Sequence, residues 1–279
     1  FWSFTKGVQV ILTWNLDPVA LSFASVSIHW YGLFFASGLL LGTHAMKGFF
    51  VREQVPLALM DQLFYAIVAG VIIGARLLHC LAYEPNYYLA RPLEILYFWQ
   101  GGLASHGGGL GALIGAALVC HKKQISLWWL LDRMVFPTLI FAVMVRLGNF
   151  CNSEIYGIPT NQSWGVIFER IDQVVRHPVQ LYEAIAYAIA LGIMVISWSR
   201  LLKHRAASFG LFLVLVFLIR IALEFFKVEQ ATYQGAMSLT VGQWLSVPFI
   251  VVGLFILVWS RKQTPALPIA AVQAQNKRK

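Results

Sequence analysis

Seven stretches of this chain stay apolar for about as long as a helix needs to cross a bilayer, and that repetition limits the fold more than any motif does. A hydrocarbon core about 30 Å thick asks for roughly 20 mostly apolar residues per helical span. The runs centre on residues 27–46, 62–82, 103–121, 130–149, 181–198, 208–226 and 242–260. Composition agrees: of 279 residues 59% are hydrophobic and 12% charged, and the mean hydropathy is +0.69. Ordinary soluble domains carry about 45–50% apolar and about 25% charged residues. A soluble fold of this length buries a share of its surface fixed by its size and could not hide the surplus. The expectation is an all-α polytopic membrane protein with about seven transmembrane helices. Disorder, a secreted disulfide scaffold and a cytosolic enzyme are excluded together.

Twenty-one Lys and Arg against twelve Asp and Glu give a net charge of +9. In a soluble chain that balance would suggest nucleic acid. Here the basic residues cluster between apolar runs, at Lys122-Lys123, Arg200/Lys203/Arg205, Arg261-Lys262 and Lys277-Arg278-Lys279. Such clusters hold loops on the cytoplasmic side, so topology explains the charge and no nucleic-acid partner is expected. Seven spans put the termini on opposite sides. The outer segments keep only Lys6, Arg91, Arg170, Arg176 and Lys227, which sets the N-terminus outside and the C-terminus in the cytoplasm.

Residues 1–262 are expected to form a single transmembrane domain, with 263–279 a flexible basic cytoplasmic tail. Residues 1–25, with the apolar stretch Val8 to Leu12 and an Asp17-Pro18 break, read as an interfacial arm rather than a signal peptide. No Met stands at position 1, so the natural start is expected to be trimmed or processed. Residues 150–180 are polar with a β-like run from Trp164 to Phe168, and suit a small head outside the membrane. Residues 83–101, rich in Tyr and Trp, suit a headgroup-level belt. Cys80, Cys120 and Cys151 share no metal-like spacing.

Arginine within a span is costly and usually faces a protein-lined or watered cavity. Arg76, Arg146 and Arg220 are the candidates, and their planar forks match phosphate, the anion that lipids supply at that depth. Arg220 stands four residues before Glu224 on one helix face, an ion pair that could also merely pack. The densest polar string is Arg146-Leu147-Gly148-Asn149-Phe150-Cys151-Asn152-Ser153-Glu154, followed by Tyr156-Gly157. A helix end accounts for the Gly and one Asn, but not for Arg146 or Glu154. In the third span Gly107, Gly111 and Gly115 recur every four residues, a close-packing face. Gly107, Gly109 and Ala112 match a dinucleotide-binding spacing, yet no strand precedes them. His106 reads either as a satisfied core residue or as a general base. His29-Trp30-Tyr31-Gly32 opens the first span as a possible aromatic anchor. Arg176-His177-Pro178-Val179-Gln180-Leu181-Tyr182-Glu183 opens the fifth and could be only a Pro-started, acid-capped helix. Five polar clusters at the outer ends of different spans together describe one cavity opening outward.

In combination these clusters resemble the bacterial prolipoprotein diacylglyceryl transferase family along nearly the whole chain, from His29-Trp30-Tyr31-Gly32 to Gln243. The most specific match is Arg146-Leu147-Gly148-Asn149-Phe150 with Asn152, Glu154 and Gly157. Ser105-His106-Gly107-Gly108, Arg176-His177-Pro178 with Gln180, Tyr182 and Glu183, and Arg220 with Glu224-Phe225-Phe226 follow the same order. Departures are Val145 in place of a Gly, Cys151 in place of an aliphatic residue, Val216 where some members carry Tyr, and Lys227 in place of Arg.

The resemblance implies an enzyme of the bacterial inner membrane, with a periplasmic head and N-terminus. It would move the diacylglyceryl group of phosphatidylglycerol onto the lipobox cysteine of a prolipoprotein signal peptide, releasing glycerol 1-phosphate. The nucleophile is then the substrate's sulfur, which must lose its proton to attack well. Arg146 and Arg220 are assigned to the leaving phosphate, with Glu224 orienting Arg220 and His106 as candidate base. Tyr31, His29, Asn149, Asn152, Glu154, Gly157, Arg76, Gln180 and Tyr182 are expected in substrate binding. No cofactor or metal is expected. A transporter would show broken, paired helices, and none is evident. An intramembrane protease would need Ser105 and His106 to meet, but neighbours on a helix point about 100° apart.

Overall fold

The computed structural model describes residues 11–23, 26–228 and 240–265. Lys6, most of the Val8–Leu12 stretch and the terminal Lys277-Arg278-Lys279 lie outside the described residues. The described residues open with three short strands, β1 (Leu12–Trp14), β2 (Val19–Phe23) and β3 (Val26–His29). The helices α1 (Trp30–Arg52), α2 (Leu57–Leu78), α3 (Pro85–Ala90), α4 (Ser105–Lys123) and α5 (Leu127–Cys151) follow. Strands β4 (Val166–Phe168) and β5 (Val175–Arg176) precede α6 (Val179–Leu201), α7 (Ala207–Glu224) and α8 (Val241–Ser260).

Among the described residues six helices are long and apolar enough to cross a membrane: α1, α2, α5, α6, α7 and α8. The expected count of seven is not confirmed by this measure. The run at 103–121 is helical, as α4, but its five glycines, two histidines and two terminal lysines dilute its apolar character. The helices carry the fold as expected, and the arm and head add short strands. β1 pairs in parallel with β4, and β4 pairs antiparallel with β5. β2 and β3 form a separate antiparallel pair.

Residue contacts divide the described chain into two compact units, one from residues 1–46 and 131–265, the other from 47–130. In the second unit, α2 and α4 pack backbone to backbone. A Cβ on Gly111 would overlap the Gly70 carbonyl, and one on Gly107 would overlap the Gly74 carbonyl. Only glycine permits that approach. Arg76, at 4% exposure, closes one end of this pair. It donates from Nε to the Ile95 carbonyl (2.9 Å), from Nη1 to Gly101 (2.7 Å) and Gly102 (3.4 Å), and from Nη2 to Glu94 (2.6 Å).

In the first unit, Gly38 and Gly42 of α1 lie against Phe141 and Pro137 of α5, and Gly210 of α7 lies against Gly253 of α8. Asp132 accepts from the backbone N–H groups of Ala206 (2.8 Å) and Phe209 (3.1 Å), capping α7 where Ala206 turns left-handed at φ 63°. The head wraps Phe150, Val166 and Phe168 with Trp14, Tyr156 and Leu181 around them. The Trp14 indole donates to the Phe150 carbonyl (3.1 Å), which ties the arm to the end of α5.

Candidate active site

The polar string predicted from sequence forms where α5 ends. Ser153 and Ile155 adopt φ of 57° and 53°, so the chain reverses around Glu154. Left-handed backbone at non-glycine residues stores strain and concentrates at functional sites. The reversal lets the Glu154 amide donate to the Asn149 carbonyl at 2.9 Å. It also returns the Glu154 carboxylate to accept from Asn149 Nδ2 and Asn152 Nδ2, each at 3.1 Å. Gln180, fully buried at the start of α6, donates to the Glu154 carbonyl at 2.6 Å and fixes the turn from behind.

Arg146 stands one turn below. Its Nη1 donates to Asn149 Oδ1 at 3.2 Å, and its Nε meets Glu183 Oε2 at 2.9 Å. Glu183 has no exposure, and its other oxygen meets Lys227 Nζ at 2.9 Å. Lys227 then reaches Glu224 Oε2 at 3.5 Å, and Glu224 Oε1 accepts from Thr240 Oγ1 at 3.4 Å. Buried charges persist only when paired, and here they form a chain from α5 through α6 to the end of α7. The expected pairing of Glu224 with Arg220 is not formed. Residues three and four apart share a helix face, and Glu224 takes Lys227 instead. Arg220 has no ion-pair partner among the described residues. Tyr187 is buried on α6, one turn after Glu183.

Gly157 admits the head at close range: a Cβ there would lie 2.6 Å from the Phe226 carbonyl and 2.7 Å from His177 Cβ. Its amide donates to the His177 carbonyl (2.9 Å), and its own carbonyl accepts from Arg176 Nη1 (3.3 Å). Tyr182 is held by the Trp164 indole at 2.9 Å and by His177 Nδ1 at 3.1 Å. Burial lowers the pKa of His177, and the salt bridge to Arg176 lowers that of Asp172. Tyr31 packs against Gly148, and His29 is exposed in β3 opposite Val19.

The first unit thus gathers Tyr31, Arg146, Asn149, Asn152, Glu154, Gly157, Gln180, Arg220 and Glu224. Arg76 and His106 belong to the second unit. Arg76 spends four hydrogen bonds on backbone carbonyls. His106 is exposed beside the buried Gly107 and Gly108, which removes the reading of it as a packed core residue. Glu183 and Lys227 were missed as site residues. The signal for Glu183 was present: an acid already inside an apolar span calls for a buried cation as partner.

The family described as prolipoprotein diacylglyceryl transferase matches residues 18–259 of this chain. Similar proteins include the phosphatidylglycerol–prolipoprotein diacylglyceryl transferase of Tolumonas auensis, 46% identical over 256 residues that cover 91% of this chain and 99% of that protein. The protein of the same name from Chloroherpeton thalassium is 45% identical, covering 90% and 94% of the two chains. Its counterpart in Nitrosomonas europaea is 38% identical, covering 95% and 97%. By this match, and by the polar string that ends α5, the chain belongs to the prolipoprotein diacylglyceryl transferase family.

Proposed function

We propose that this chain transfers the diacylglyceryl group of phosphatidylglycerol to the lipobox cysteine of a prolipoprotein, the first step of lipoprotein maturation. The observation that carries this reading is the buried ion-pair chain that fixes Arg146 through Glu183, with Asn149 and Glu154 ordered beside it. A carbon–sulfur bond forms at the glyceryl carbon as the carbon–oxygen bond to phosphate breaks. The thiol proton passes to a base, and glycerol 1-phosphate leaves with added negative charge. Arginine forks preorganised in a water-poor site stabilise that charge most in the transition state. His106 is the candidate base, and Tyr31, Asn149 and Glu154 position the headgroup. Tyr182, Gln180 and Gly157 contribute to substrate binding. The chain sits in the bacterial inner membrane with the head and N-terminus in the periplasm and the C-terminus in the cytoplasm.

The test incubates the purified protein in micelles with phosphatidylglycerol and a lipobox peptide, and looks for a thioether product by mass. A protein in which Cys80, Cys120 and Cys151 are all replaced by Ser is expected to make the same product. No product from the wild-type protein, or a lipid adduct trapped on one of its own cysteines, overturns the reading.

A further inference from the structure

A long guanidinium is a good phosphate ligand only when it is already oriented, because immobilising a flexible side chain during binding costs free energy. Arg146 is oriented before any ligand arrives. Its Nε edge meets the Glu183 carboxylate at 2.9 Å, and that carboxylate has no exposure. Glu183 in turn depends on Lys227, 2.9 Å from its other oxygen, since a buried carboxylate facing one shared cation would be poorly compensated. The Nε side is held by the Glu183 ion pair, and of the four N–H groups on the two Nη nitrogens one donates to Asn149 Oδ1. The Nη edge keeps capacity for an anion.

We propose that Glu183 is a positioning residue for the transfer: it locks the Nε edge of Arg146 so that the Nη edge is presented to the phosphate, with Lys227 as the counter-charge that keeps Glu183 in place. The proposal rests on Arg146 being the phosphate ligand, as read above. A plain staple between α5 and α6 would need the same ion pair but would not couple Glu183 to the rate through Arg146.

The experiment compares wild type, Glu183→Gln, Arg146→Lys, the double variant Glu183→Gln/Arg146→Lys, and Glu183→Gln/Lys227→Met. The last removes both buried charges, so it keeps the test open if Glu183→Gln alone fails to fold. Glu183→Gln is expected to lose about 100-fold in kcat/KM for phosphatidylglycerol, the usual size of a misoriented catalytic group. Glu183→Gln/Arg146→Lys is expected to be no slower than Arg146→Lys alone, because the effects of residues acting as one unit do not add. Glu183→Gln/Lys227→Met is expected to regain the wild-type melting temperature while staying slow. Wild-type kcat/KM in that charge-balanced variant, or losses that multiply in Glu183→Gln/Arg146→Lys, overturns the proposal. Thermal stabilisation by phosphatidylglycerol over diacylglycerol is measured in parallel. If the wild type forms no thioether, the functional reading fails by itself. The positioning claim then stands or falls on whether Glu183→Gln/Lys227→Met loses that anionic-lipid stabilisation, as Arg146→Lys should, or keeps it.

Discussion

In the α2–α4 pair, Arg76 turns its guanidinium onto the backbone carbonyls of Glu94, Ile95, Gly101 and Gly102, whereas Arg146 at the end of α5 gives one edge to a carboxylate and keeps part of the other unspent. Both arginines belong to apolar helices, and both satisfy the rule that a buried charge must be paired. What differs is the kind of partner and the number of donors left. Neutral carbonyls that saturate a fork make it architecture, here the clasp that holds the 94–102 segment. A single carboxylate, itself shared with a lysine, makes a directed group with capacity for an anion.

Substituting lysine at each position tests that distinction most severely. Arg146→Lys keeps the charge and loses the fork, so thioether formation is expected to fall about 10²–10³-fold, the size of losing one preorganised donor to a developing anion. Its melting temperature should change little. Arg76→Lys should do the reverse: a lower melting temperature, because one ammonium cannot hold four carbonyls, with near-normal turnover by the molecules that remain folded. A rate loss at Arg76 without a stability loss would end the comparison and return Arg76 to the phosphate.

His106 sharpens the same contrast from within the second unit. It is exposed on α4, whose neighbouring Gly107 and Gly111 are buried against α2. If it takes the thiol proton, His106→Gln should lose about 100-fold in rate, and the loss should shrink at high pH as the substrate thiol ionises unaided. A pH–rate profile parallel to the wild type's would take the base role away from this residue. The packing face itself predicts a pure stability effect. Gly111→Ala forces a Cβ into the Gly70 carbonyl, and overpacking of that kind costs about 1–3 kcal/mol. Thermal unfolding should report it, while the rate per folded molecule stays close to that of wild type.

Legibility in the sequence follows the range of the interaction. The spans were readable because apolarity over a fixed length is local information: the run at 181–198 became Val179–Leu201, and that at 242–260 became Val241–Ser260. The β-like run at Trp164 to Phe168 became β4 for the same reason. Its partner β1 was not readable, since three residues carry no strand signal and the pairing joins Leu12 to Val166 across most of the chain. The dense string from Arg146 to Glu154 announced a site, but not its ionic partners. Spacing alone places both Arg220 and Lys227 on the face of Glu224, and only tertiary packing selects Lys227. For Glu183 the signal of an acid in an apolar span was masked by a sufficient local explanation, an acid near a Pro-started helix N-terminus, so the buried cations it holds were not sought.

The smallest expected effects lie in the head, where the partly exposed pair Asp172–Arg176 and the ring of His177 respond to acid in separate windows. Arg176 Nη2 meets Asp172 Oδ2 at 2.6 Å, and this holds the Asp172 pKa below its ordinary 3.8. A carboxylate with a lowered folded pKa contributes stability that is complete above the unfolded value and lost as pH falls through the folded one. Its exposure limits the contribution to less than about 1 kcal/mol. His177, against Phe226 and Tyr182, is lowered from 6.5 by burial. The unfolded ring therefore takes up its proton first, and the folded head loses stability as pH drops below about 6.5. Amide hydrogen exchange across residues 157–177 should show a first loss of protection between neutral pH and the folded pKa of His177, and a second below pH 4. Asp172→Asn should abolish the second and leave the first. His177→Phe, which cannot titrate, should abolish the first and leave the second. Equal loss of both steps in either variant would mean that the head opens as one unit with the segment after α7, through Gly157 and Phe226, rather than titrating site by site.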